Sequence, residues 1–333
     1  VSVAALGFMM ASAAQAGEAP VYDEKDLKKM IEDQGIYVET AKKGIVLSGY
    51  VDTSYTYQFA GKASFGQRTI REGGNNSLFP STEAQGRAFD VDNNDFNINA
   101  FKLALEKALP DENTWAAGFR ADLMFGEDAQ ILGGGSYATF DDASYLFLEQ
   151  AYVQFRVPVG NGLDFKFGKF VTLLGYEVIE SPANLNFSRS FLFQNAIPLT
   201  HTGFLMSYAF NDIIDMQLGL VNGWNNSDTG TGAFAIQGFG KAVTGQIAVH
   251  APGGNATIAN SFIYSADGEP LAGNGFTENQ DVFTWDIWGQ WAPRFANDKL
   301  LLAFNADLGF ADNAGTDAFL GNPNNGQSDT WYG

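Results

Sequence analysis

The sequence predicts an all-β fold: a transmembrane antiparallel up-and-down β-barrel of at least 12 strands, with short periplasmic turns and long extracellular loops. Three observations predict it. Apolar and polar residues alternate with a period of two in run after run, short turns alternate strictly with long connections, and charge is confined to one face of the strands. The hairpin in FLEQAYVQFRVPVGNGLDFKFGKF (147–170) sets the pattern. Ala151, Val153, Phe155 and Val157 share one face opposite Gln150, Gln154 and Arg156. Leu163, Phe165 and Phe167 repeat the arrangement around Asp164 and Lys166, after a turn rich in Gly and Asn.

Composition is consistent with strands rather than membrane helices. Hydrophobic residues make up 45% of 333, yet the mean hydropathy is only −0.11, because apolar residues are spread singly. No internal run approaches the roughly 18 apolar residues that a spanning helix needs. The chain has no cysteine and a net charge of −19, which argues against nucleic-acid binding. Residues 1–16 (VSVAALGFMMASAAQA) end in an A-x-A pattern and read as a signal-peptide remnant. Residues 17–44 read as a periplasmic N-terminal segment with a short helix at Asp23–Gln34, whose Leu27, Met30 and Ile31 share a face. The barrel is expected over residues 45–333, with C-terminal strands missing beyond the Trp331-Tyr332-Gly333 end.

Each strand follows from its own pattern. In Ile45–Phe59, Leu47, Val51, Tyr55 and Tyr57 alternate with Ser48, Asp52, Ser54 and Thr56. The second strand is out of phase with itself: Phe96 and Ile98 lie in one register, Phe101, Leu103 and Leu105 in the other. A bulge near Ala100 would reconcile them. The third sets Trp115, Ala117, Phe119, Ala121, Leu123 and Phe125 against Arg120 and Asp122. A Gly-rich loop (Gly126–Ala143) then leads into the hairpin already described. Phe204–Phe210, Ile214–Val221, Val243–Val249, Ile258–Tyr264, a run from Phe283 to Trp291, and Leu300–Phe310 complete eleven strands, and a twelfth begins at the end.

The connections decide the environment. Lys107–Asn113, Pro158–Gly162, Asn211-Asp212, Ala251–Asn255 and Pro293–Asp298 are short, and every connection between them is long. In a meander alternate connections share an end, so one rim carries only short turns, as in outer-membrane barrels. Aromatics bound the apolar stripes, with Phe59, Phe125, Phe204, Trp224, Tyr264 and Phe310 at the long-loop end and Trp115, Phe155, Phe210 and Trp291 at the other. The opposite face carries Asp52, Arg120, Asp122, Arg156, Asp164, Lys166, Asp215, Asp286 and Asp307, too many charges for a packed core but suited to a water-filled lumen.

The ordered series LSGYVDTSYTYQF (47–59), FNINAFKLALEK (96–107), FRADLMFG (119–126), 148–170, GYEVIESPANLNFSRSFLFQNAIPLTHTGFLMSY (175–208) and VNGWNN (221–226) resembles the putative beta-barrel porin-2 (OmpL-like) outer-membrane proteins. The resemblance covers Ile45 to the end. It implies a bacterial cell outer-membrane barrel serving passive transport.

The residues themselves point to a channel for small hydrophilic solutes or ions. The 171–198 connection is long yet apolar (Leu173, Leu174, Phe187, Phe191, Leu192, Phe193), so it needs a wall to pack on, and the barrel interior offers one. Folded inward, it becomes a pore constriction that sets Glu177, Glu180 and Arg189 opposite Arg120, Asp122 and Lys166, with Arg156 and Asp164 also on the lining; an external cap is the alternative. The long loops after Gly126 carry thirteen acidic residues, among them Glu127, Asp128, Asp141, Asp142, Asp228 and Asp267, against Arg189 alone. An acidic mouth enriches cations over about 8 Å at physiological salt, which predicts weak cation preference; solubility, or bridging to anionic lipid through divalent ions, accounts for the same charge. Outer-membrane lipid and a possible homo-oligomer, a trimer, are the expected partners.

Other chemistries find little support. Asp90–Asp95 fails the EF-hand pattern, with Asp95 where Gly is required. His201 and His250 match no zinc spacing, and Gly168-Lys169 lacks the upstream glycine of a P-loop. No metal, cofactor or enzymatic activity is expected, since Glu177 and Glu180 have no oriented base or nucleophile beside them. A barrel plugged in its lumen and serving as a surface anchor or adhesion platform is the competing function.

Overall fold

In a computed structural model, residues 44–57, 89, 95–133, 146–225, 241–265, 281–296, 299–311 and 329–332 are described. The expected signal remnant, the helix at 23–34 and most of the calcium-like stretch at 90–95 lie outside them.

Twelve strands form one antiparallel sheet in which every strand pairs with its neighbours in sequence. They are β1 (Ile45–Thr56), β2 (Asp95–Lys107), β3 (Ala116–Phe125), β4 (Leu146–Val157), β5 (Leu163–Val171), β6 (Thr200–Ala209), β7 (Ile214–Val221), β8 (Ala242–His250), β9 (Ala256–Ser265), β10 (Val282–Trp291), β11 (Leu302–Ala311) and β12 (Asp329–Tyr332). From β1 to β11 they run eight to thirteen residues, the length that tilted membrane strands use. Connections 108–115, 158–162, 210–213, 251–255 and 292–301 alternate with 57–94, 126–145, 172–199, 222–241, 266–281 and 312–328, so the two rims differ as the sequence predicts.

The faces separate cleanly because of two bulges. Asp52 pairs with Ala100 and Thr53 with Ile98, which leaves Asn99 as the extra residue of β2. Phe96 and Ile98 therefore point outward with Phe101, Leu103 and Leu105, while Asn99, Ala100 and Lys102 turn inward. On β4, Asp122 pairs with Gln150 and Leu123 with Leu148, so Glu149 is the extra residue and both Glu149 and Gln150 are buried inside.

Outward-facing Val51, Leu103, Phe155, Phe167, Leu218, Ile247 and Phe304 are exposed to whatever surrounds the sheet. A shell of isolated apolar side chains on this scale is at equilibrium in lipid. Phe125, Phe204, Tyr264 and Phe310 stand exposed as expected, and Trp115 is 74% exposed at the short-turn end. Trp224 differs. It is 9% exposed, and its indole N–H donates to Thr284 Oγ1 at 2.8 Å, so it belongs to the interior rather than to an aromatic girdle. An indole N–H needs an acceptor, and the inward hydroxyl on β10 supplies one. The region read as a Gly-rich loop also differs: α1 (Glu127–Gly133) forms there, with acidic residues in its first turn and Ala129 and Leu132 buried against the wall.

The apolar core lies on the inner face, between the sheet and the 172–199 connection. Leu174, Ile179, Phe193 and Ile197 from that connection pack among Met124, Phe147, Phe170, Val221 and Ile263. Leu173 and Leu192 pack partly against the same cluster, whereas Phe187 and Phe191 remain exposed.

Candidate functional site

The 172–199 connection leaves β5 and returns to β6, yet it bonds to strands on both sides of that origin. At one end, the Leu173 carbonyl accepts from Gln246 Nε2 at 2.7 Å and from Ser261 Oγ at 3.0 Å, on β8 and β9. The Tyr176 N–H donates to Asn305 Oδ1 on β11 at 2.8 Å, and its phenol donates to Gln290 Oε1 on β10 at 3.2 Å. Its ring meets Trp288 edge-on, with centroids 5.7 Å apart. Asn305 in turn donates to Asp286 Oδ2 at 2.5 Å, and Asp286 stands directly opposite Asp307. A few residues later, Glu180 meets Lys102 Nζ on β2 at 2.6 Å, and Ser181 Oγ donates to Asp52 Oδ2 on β1 at 2.5 Å. One stretch of chain therefore touches the inward faces of β1, β2 and β8–β11.

Local chemistry holds that stretch in shape. Asn184 accepts from the Val178 N–H at 2.9 Å and donates to the Val178 carbonyl at 2.8 Å. Glu177 Oε2 accepts from the Ser190 N–H at 2.8 Å. Ser190 caps α2 (Phe191–Asn195), accepting from the Phe193 N–H at 3.2 Å. Arg189 is buried. It donates to the Ile179 carbonyl, faces Asp128 of α1 at 3.4 Å and stacks over the Phe89 ring at 5.0 Å.

The centre of the site is a cluster around Lys102. Its ammonium lies 3.0 Å from Asp122 on β3, 2.7 Å from Glu149 on β4 and 2.6 Å from Glu180 on the connection. Asp122 is also gripped by Arg120 through two bonds of 2.9 Å and by Gln150 Nε2 at 3.0 Å. Oxygens of Asp122, Glu149 and Glu180 lie within 4.8 Å of one another, a spacing that suits a metal ion, but the Lys102 ammonium already bonds to all three. Burial works to raise the Glu180 carboxyl, but the Lys102 charge and the hydrogen bonds the carboxyl accepts together outweigh it, holding that carboxyl below its ordinary value. Burial alone pushes the Tyr176 phenol up.

The sequence-predicted residues are thus distributed over several places. Arg120, Asp122 and Glu180 come together through Lys102. Lys166 sits over the Tyr152 ring at 5.0 Å on the adjoining wall. Arg156 and Asp164 form a two-bond pair at 2.7 Å near the short-turn rim, and Arg156 also donates to the Pro110 carbonyl at 2.6 Å. Glu177 and Arg189 make the internal contacts of the connection just described. Lys102, Glu149 and Ser181 are central to the cluster and are not among the residues the sequence singles out, whereas Asp52 is one of the charges expected on the inward face. For Glu149 the signal is the adjacent pair Glu149-Gln150, two polar residues in a row inside an alternating strand.

A meander with apolar side chains outside, paired charges inside and its long connections gathered at one rim defines a bacterial outer-membrane β-barrel of the porin class. Residues 44–333 match the family model described as putative beta-barrel porin-2, OmpL-like, and the chain belongs to that family. Among solved structures it is similar to the outer membrane channel DcaP of Acinetobacter baumannii, at 11% identity and a TM-score of 0.42, over 82% of this chain and 66% of that one. It is also similar to Pseudomonas putida OprB in its high-pH structure, at 16% identity and a TM-score of 0.42, over 65% of this chain and 60% of that one. The chain therefore spans just under two thirds of the length of these structures. No curated protein sequence matches it.

Proposed function

We propose that the protein is a passive channel for small hydrophilic solutes, with the 172–199 connection as its constriction and a weak preference for cations. The observation that carries this reading is the run of contacts from Leu173 to Ser181, which reaches β8–β11 at one end and β1–β2 at the other. A segment bonded to inward side chains on both flanks of its origin narrows the path between them. Solutes then pass beside the half-buried Glu180 and Arg120, whose fixed charges order water and filter by charge. The acidic long loops support the cation preference.

Planar-bilayer recording in a salt gradient tests the reading. Deleting 172–199 raises conductance, and the reversal potential of the intact protein lies on the cation side. An unchanged conductance would overturn the constriction, and anion selectivity would overturn the preference. The same bridging contacts also favour a second reading, a plugged structural or adhesive barrel. Liposome swelling separates the two, because a plugged barrel admits no small sugar.

A further inference from the structure

We infer that Lys102 is the positioning residue of the constriction: one buried ammonium, set between three carboxylates, latches the 172–199 connection to the β1–β2 wall. The inference rests on the reading of that connection as docked inside the lumen, and adds to it the charged group that holds Glu180 at the docked end.

Lys102 projects from β2 and is 2% exposed, and Glu149, 0% exposed, is turned toward it by the β4 bulge. These two wall residues and Asp122 would form the same arrangement without the connection. Glu180 alone comes from the connection, and it makes the shortest of the three contacts, 2.6 Å. Remove the ammonium, and Glu180 is left in a low-dielectric pocket facing Asp122 and Glu149 with no cation between them. Carboxyls within 4.8 Å of one another in such a pocket either repel or take up protons, and neither restores the ion pair that Glu180 makes with Lys102. Lys102 is therefore the source of the ionic attraction at the docked end. The far end, from Leu173 to Tyr176, is held by neutral hydrogen bonds and does not depend on it. The latch is local: loss of Lys102 frees residues around 180 while the contact with β8–β11 persists.

The chain contains no cysteine, so one introduced thiol reports on one place. Ile179 is next to Glu180, is 3% exposed and packs through its side chain alone. The test labels Ile179→Cys in the full chain, reconstituted in liposomes, with a bulky membrane-impermeant maleimide, and heat-modifiable gel migration verifies folding. In the otherwise native background labelling is slow. Adding Lys102→Met accelerates it by more than about tenfold, as expected for breaking a buried ion pair, and Lys102→Arg, which keeps the charge, restores slow labelling. Should the Lys102→Met chain fail to fold, Glu180→Ala removes the latch from the connection's side only and gives the same acceleration. Slow labelling in every folded variant would overturn the role of Lys102 and leave the docked connection standing. Labelling of Ile179→Cys at the rate of the denatured chain, with Lys102 intact, would overturn the docked connection itself.

Discussion

Ser181 donates to Asp52 at 2.5 Å, across 129 positions of sequence. The bond ties a hydroxyl on the β5–β6 connection to an inward carboxylate on the first strand, and Asn99 reaches the same carboxylate at 3.4 Å from the β2 bulge. Replacing Asp52 by Ala removes a hydrogen bond to a charged group, worth about 1.5–3 kcal/mol. Limited proteolysis of the reconstituted protein should then cut within 176–190 faster than in the native chain. An unaltered cleavage rate would mean that this bond contributes nothing to docking.

Acid should release the same end. The folded state holds the Glu180 carboxyl below its ordinary value: burial pushes it up, and the Lys102 charge with the hydrogen bonds to the carboxyl more than offsets that push. A depressed carboxyl stabilises the folded arrangement at every pH above the unfolded value, and loses that contribution as pH falls through the folded one. Docking is thus expected to be constant from neutral pH down to the ordinary glutamate value and to weaken progressively as pH falls from there to the folded one. Single-channel conductance against pH measures this, and Glu180→Gln should flatten the acid limb.

Strand β5 contains a glycine that no other residue replaces well. Gly168 has φ +135, and a Cβ there would stand 2.2 Å from the Ala151 carbonyl oxygen on β4. Gly168→Ala is expected to cost about 1–3 kcal/mol from backbone strain alone, with further loss from displacement of β4. The readout is the fraction migrating as folded protein on an unheated gel.

The outer face can be probed for lipid directly. Leu218 lies near the middle of β7 and points outward. Leu218→Arg should destabilise the folded barrel by about 2–4 kcal/mol, whereas Phe210→Arg, at the short-turn rim, should cost only about 0–1 kcal/mol. Urea unfolding in lipid vesicles gives both values. Equal penalties would remove the depth dependence that a bilayer imposes.

Much of this architecture was legible in alternation. The short turns, the outward stripes and the irregularity of β2 follow from side chains that must choose between lipid and water. Alternation is a local rule, however, and the site is not a local object. Lys102 sits between Phe101 and Leu103 like any inward polar residue, and its weight comes from Glu180, 78 positions later, which no strand pattern places. Trp224 misled for a related reason: an aromatic residue beside a strand end fits a girdle, until a hydroxyl on another strand claims its N–H. The helix α1 was hidden because its flanking glycines read as loop, while Ala129 and Leu132 needed the inner wall before a seven-residue helix could persist.

The contacts of the 172–199 connection also imply an order of events during assembly. Each strand pairs only with its neighbours, so hairpins can form one after another as local units. Tyr176 and Ser181 bond to strands from opposite flanks of the sheet, and those partners meet only once the sheet has curled round. The 172–199 connection is therefore expected to settle last, after the separate hairpins that supply its partners.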